Sequence, residues 1–134
     1  MRKYIFELDF KVRDYECDLQ GIVNNANYLH YFEHTRHEFL HSVNINVLDL
    51  HKQGVDPVIA RVNMALKVPL TSGDEFVSKL YITKERIKYA FHQDLYRKCD
   101  HRLVAKAVIE AVCLENGKLI QSKLFDEAFA PYLQ

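Results

Sequence analysis

The chain opens on an alternation. Tyr4, Phe6, Leu8, Phe10 and Val12 are apolar, with Glu7, Asp9 and Lys11 between them. A period of two marks a half-buried strand. The polar segment Arg13 to Gly21 ends the pattern. The period then lengthens. From about Asn27 to Val43, the residues Leu29, Phe32, Phe39, Leu40 and Val43 fall on one side of a helix that advances about 100° per residue. A second short helix is expected from Val47 to Gln53, stopped by Gly54, since glycine readily takes the left-handed conformation that ends helices.

Beyond Gly54 the pattern predicts strands. Val58, Ala60, Val62, Met64, Leu66 and Val68 alternate with residues such as Arg61, Asn63 and Lys67, until the turn formers of PLTSGDE intervene. Phe76 to Thr83 and Lys88 to Lys98 follow, then Leu103 to Leu114, which is apolar at most positions and reads as a central strand covered on both faces. Asn116-Gly117 is a strong hairpin signal, and Leu119 to Phe129 is expected to return as the last strand. The predicted order is strand, long helix, then a meander of five strands. Strands joined by short turns run antiparallel, so the expectation is α+β, a curled sheet wrapped around one long helix.

Composition narrows the picture. A chain of 134 residues points to one domain, residues 1–134. Formal net charge is zero, which removes the electrostatic case for nucleic acid or an anionic membrane. Cys17, Cys99 and Cys113 form no CxxC pair, which fits a reducing, cytoplasmic setting. The first ten residues carry acidic side chains where a signal peptide would be apolar, and no run reaches the roughly 18 apolar residues of a membrane span.

The chemistry concentrates in YECDLQGIVNNANYLHYFEHTRHEFL, Tyr15 to Leu40. Asp18 lies in a polar loop just ahead of the long helix. Asn24, Asn25 and Asn27 are good N-caps, and Gly21 lets the loop turn tightly. A helix N-terminus offers unpaired N–H donors and partial positive charge. A carboxylate beside such donors suits acyl transfer. The donors hold a developing oxyanion, and the carboxylate attacks the carbonyl or activates water. The same spacing also fits ordinary punctuation before a helix.

The run from Arg13 to Leu40 resembles the signature of 4-hydroxybenzoyl-CoA thioesterase-like (YbgC-like) hotdog proteins: an aspartate, two spacers, Gly, an aliphatic pair, an Asn or His segment, then Tyr-Leu-x-Tyr-Phe-Glu-x-x-Arg. The downstream strand order is similar too. The resemblance implies a hotdog fold and an acyl-CoA thioesterase. It matches Asp18 to the catalytic carboxylate and Gly21, Ile22 and Val23 to the loop shaping the acyl pocket. It matches Asn25 to the position whose backbone amide polarises the thioester carbonyl, where many relatives carry His, and Tyr28 to the tyrosine at the head of the helix. It implies a homodimer or homotetramer with active sites at the subunit interface, and no metal or redox cofactor, with coenzyme A entering as part of the substrate. An acyl carrier protein is the alternative thioester carrier. A non-catalytic module binding acyl thioesters is the alternative activity.

Three further groups lie outside that core. Glu33 and Arg36 are three apart, fall near the apolar face and are expected as a partly buried ion pair; Glu33 is also a second candidate for the acyl pocket. His30, His34, His37 and His41 form a flank at i, i+4, i+7 and i+11. It spans too many turns for one metal site, so a polar flank at the helix edge or a subunit interface is expected. Lys84, Arg86 and Lys88 surround a predicted turn. By resemblance Arg86 and Lys88 would meet the nucleotide end of CoA, with Arg61 and Arg97 as weaker alternatives; an ordinary solvated turn explains them equally.

Overall fold

The computed structural model describes residues 3–134. Strand β1, Phe6–Lys11, is followed by a 3-10 turn at Asp14–Glu16, helix α1 at Asn25–Ser42 and helix α2 at Val47–Lys52. Strands β2 (Val55–Leu66), β3 (Glu75–Glu85), β4 (Lys88–Arg97), β5 (Leu103–Glu115) and the short β6 (Lys118–Ile120) come next, and helix α3, Lys123–Phe129, follows. The strands form one antiparallel sheet in the order β1-β3-β4-β5-β2, with β6 also on β5. The sheet curls around α1 in the expected hotdog arrangement.

Helix α1 buries Tyr28, Tyr31, Phe32, Thr35, Arg36, Phe39 and Leu40, a stripe repeating every three or four residues as helical geometry requires. Hydrophobicity alone had placed Leu29 on that stripe, but it is 40% exposed. The true inner face includes the polar Thr35 and Arg36, which an apolar count passes over. The Thr35 hydroxyl donates to Tyr31 O and accepts from the Ser78 hydroxyl on β3, both at 2.8 Å. Asn24 caps the helix, its side-chain oxygen accepting from Ala26 N at 3.0 Å.

The five-strand meander needs correction. β3, β4, β5 and β6 are paired in succession, but β2 pairs with β5 on the far side of the sheet rather than with its sequence neighbour β3. Residues 67–74 carry the chain across, and β3 comes to lie between β1 and β4. β5 is internal, yet only its inner face is fully buried. The outward Val108, Glu110 and Val112 are half-buried and Lys106 is exposed.

The last predicted strand is mostly helix. Only Lys118–Ile120 pairs with β5. Ser122 then caps α3 by accepting from Phe125 N. Phe125 and Phe129, one turn apart, are buried, and Phe129 meets Phe39 and Tyr89 with ring centroids 5.9 and 5.0 Å apart. The hairpin before it follows expectation, with Asn116 and Gly117 at φ of 50° and 81°, the left-handed pair of a tight turn.

Candidate active site

Asp18 sits at the head of a small closed loop. Cys17 and Val23 bridge its ends, Asp18 N donates to Ile22 O at 2.9 Å and Gly21 N donates to Asp18 O at 3.0 Å. Gly21 has φ of 80°, a conformation L side chains resist. Asp18 is half-buried, and its Oδ1 accepts from Gln20 N at 2.8 Å. One oxygen of the carboxylate therefore holds the loop.

The loop is tied down on two sides. Val23 is buried and its N–H donates to Leu70 O at 2.9 Å, while half-buried Ile22 bridges Thr71. Toward the helix, Glu16 O accepts from Asn24 N at 3.0 Å and from Asn27 Nδ2 at 2.7 Å. The loop and the N-terminus of α1 thus form one unit. Asn25, exposed, is the first helical residue. Among the described residues its backbone N–H has no acceptor, as expected of a first-turn donor. Tyr28 is buried one turn on, next to Tyr31 with ring centroids 6.0 Å apart. Burial pushes the Tyr28 pKa up, so it stays a neutral phenol.

Sequence reasoning missed Glu16. Its Oε1 accepts from Arg13 N at 2.8 Å and from the Tyr31 hydroxyl at 2.9 Å. Burial, then this bond, push the Tyr31 pKa up. Two carboxylates lie two residues apart before the helix, one locked to the scaffold and one at the loop head. Charge and spacing alone do not distinguish them; the family resemblance matches only Asp18 to a catalytic role.

The remaining candidates lie elsewhere. Glu33 and Arg36 do not form an ion pair among the described residues. Arg36 is 9% exposed and donates through its terminal NH1 to Gln93 Oε1 at 3.1 Å. Burial lowers its pKa, with the Glu33 charge opposing that shift. Glu33 is exposed and stands with Arg36 and His37 on the wall of a cavity of about 250 Å³ that also touches β4, β5 and α3. His30, His34 and His41 are exposed. Among the described residues no group of three or more His, Cys, Asp or Glu is placed to hold a metal ion.

Arg86 occupies the β3–β4 turn at φ of 58°, exposed. Lys88 pairs with Glu110 at 3.0 Å and Lys84 with Asp126 at 2.7 Å, so carboxylates already partner two of the three cations. This turn follows the end of β3, whereas the Asp18 loop meets Thr71, ahead of its start. One chain therefore holds the loop and the turn apart by the length of a strand, roughly 30 Å. Arg97 is occupied by Asp100 at 2.5 Å, and Arg61 is exposed on β2.

A curled antiparallel sheet around a helix, with a loop aspartate at the helix tip, defines a class. The family described as "Thioesterase-like superfamily" matches residues 12–133, and the chain belongs to it. The chloroplastic acyl-acyl carrier protein thioesterase ATL3 of Arabidopsis thaliana is 38% identical over 111 residues, covering 82% of this chain and 58% of that protein. The chain likewise spans 59% of a second Arabidopsis relative, ATL2, at 36% identity. A crystal structure of a hypothetical protein from Aquifex aeolicus superposes with a TM-score of 0.86 at 30% identity, over 92% of this chain and 98% of that one. A 1,4-dihydroxy-2-naphthoyl-CoA thioesterase from Synechocystis shares the fold, with a TM-score of 0.88 at 17% identity over 93% of this chain and 95% of that one. No helix among the described residues is long and apolar enough to cross a membrane.

Proposed function

We propose that the chain hydrolyses acyl thioesters, with Asp18 as the catalytic carboxylate. The observation that carries this reading is the single hydrogen-bonded unit made by the Asp18 loop and the α1 N-terminus, where the Asn25 N–H has no acceptor among the described residues. The thioester carbonyl oxygen accepts from that N–H. Water adds to the carbonyl carbon, Asp18 removing its proton; alternatively Asp18 adds first and expels the thiolate, leaving an anhydride that water then cleaves. The C–S bond breaks, and the thiolate takes a proton. Gly21, Ile22, Val23 and Tyr28 border the acyl group. The order of residues from Asp18 to Arg36 supports the reading that the chain is close to the 4-hydroxybenzoyl-CoA thioesterase-like (YbgC-like) branch.

Asp18 lines neither the cavity beside Arg36 nor the open hollow beside Glu16. A cleft completed by a second copy accounts for this, so the working form is a homo-oligomer. The acyl carrier is the phosphopantetheine arm of CoA or of an acyl carrier protein. The paired Lys84 and Lys88 weaken the basic turn as a nucleotide site, and the Arabidopsis relatives act on acyl carrier protein by name. Both observations favour the carrier protein as a second reading.

Asp18→Asn should lower kcat by about 10²–10⁴ with an unchanged circular dichroism spectrum, read by thiol release from a panel of acyl-CoAs and acyl carrier proteins. A variant as active as its parent rules out Asp18. A wild-type chain that binds these thioesters but releases no thiol is a binding module.

A further inference from the structure

The cavity beneath the C-terminal half of α1 contains an arginine that the proposed hydrolysis does not use. Arg36 is 9% exposed. Its one hydrogen bond among the described residues goes to a neutral amide, Gln93 Oε1 at 3.1 Å. That amide cannot flip away, because Gln93 Nε2 donates to Phe32 O at 3.0 Å. Among the described residues no carboxylate forms a salt bridge with the guanidinium. Glu33 stands at the exposed rim, where solvent screens its charge. Buried charges are ordinarily paired, and the guanidinium fork matches a carboxylate through two parallel N–H bonds.

A second polar group lies on the same wall. Tyr89 lines the cavity, and its buried hydroxyl has no hydrogen-bond partner among the described residues. Buried polar groups without partners are rare in folded proteins. Glu33 and His37 also line the cavity, and the rest of the lining is largely apolar, with Leu40, Phe91, Phe125 and Phe129. The volume is about 250 Å³. A cavity of roughly 150 Å³ already admits benzene, so this one takes an aromatic ring or a short acyl chain together with its head group.

We propose that this cavity is a binding site for a small aryl or short-chain carboxylate, its head on Arg36, Tyr89 as a further donor and its body among the phenylalanines. Such a carboxylate has two sources. One is the free acid released by thioester hydrolysis, and the other is an acyl group bearing a second carboxylate at its far end. Both sources rest on the thioesterase reading, but the site itself does not, and its test needs no turnover.

Calorimetric titration of the wild-type protein and of Asp18→Asn with benzoate and octanoate, against benzyl alcohol and octanol, is the decisive measurement. The acids should bind at least about tenfold tighter than the matched alcohols, since a site built around buried donors discriminates against ligands that leave them unpaired. Arg36→Met should remove that preference while keeping a cooperative melt, and Tyr89→Phe should weaken acid binding several-fold. Equal affinity for acids and alcohols in the wild-type protein overturns the proposal, and so does an unchanged preference in folded Arg36→Met. If Arg36→Met does not fold, the wild-type ratio decides alone. Steady-state assays then identify the source. Competitive inhibition by the free acid marks a product site. A lower KM for glutaryl-CoA than for valeryl-CoA marks a substrate subsite.

Discussion

Two carboxylates near the helix start have different work, and their hydrogen bonds separate them. Glu16 accepts from Arg13 N and from Tyr31, so it holds the 3-10 turn to α1. Asp18 has one oxygen on Gln20 N and, among the described residues, no second side-chain bond that fixes it. Glu16→Ala leaves the Tyr31 hydroxyl of a buried ring without its acceptor. It should cost about 1–3 kcal/mol of stability, measured by urea unfolding, while the folded fraction retains turnover that Asp18→Asn loses. Asp18 was legible because a signature of ordered residues surrounds it. The burial of Arg36 was legible from its place near the apolar face, but its partner Gln93 and the role of Glu16 were not, because those come from what the side chains touch across the fold.

At the scale of elements, α1 carries the proposed chemistry at its N-terminus and the cavity along its later turns. Asn24→Ala removes the cap that binds Ala26 N and should destabilise the protein by about 0.5–2 kcal/mol, seen as a lowered urea midpoint. His37, at the edge of the same helix, has its pKa lowered mainly by burial, with Arg36, His41 and His34 adding to the effect and Glu33 opposing it. A folded pKa below the unfolded value of about 6.5 means the unfolded chain binds the proton more readily. The stability associated with this histidine is therefore complete above that pH and is lost as pH falls through the folded pKa. His37→Gln should flatten this slope in urea midpoints measured from neutral to acidic pH. α3 was misread because the Asn116-Gly117 hairpin signal was carried through to Phe129, although the apolar residues Leu119, Ile120, Leu124, Phe125, Ala128 and Phe129 do not alternate. The Ser122 cap and the Phe125–Phe129 spacing are the helical signals that were present. Phe129→Ala should cost about 3–5 kcal/mol, because that ring joins α3 to Phe39, Tyr89 and Phe91.

For the whole molecule, the sheet ends on β2, whose Ile59, Val62 and Leu66 are exposed apolar side chains. Open strand edges favour pairing with another chain. Val62→Lys should move the protein toward monomer in sedimentation velocity and lower thioester hydrolysis with it, since the proposed cleft is completed by a second copy. The sequence by itself determined the alternation of β1, the extent of α1 to within two residues at its start, the short α2, the Asn116-Gly117 turn and the Asp18 signature. Each depends on periodicity, on local turn geometry or on a fixed order of neighbours, all of which are written along the chain. Only the tertiary structure decided that β2 crosses to the far side of the sheet, that the partner of buried Arg36 is Gln93 rather than Glu33, and that the basic turn sits a strand's length from Asp18. Those outcomes come from which distant surfaces bury one another, and spacing along one chain carries no record of them.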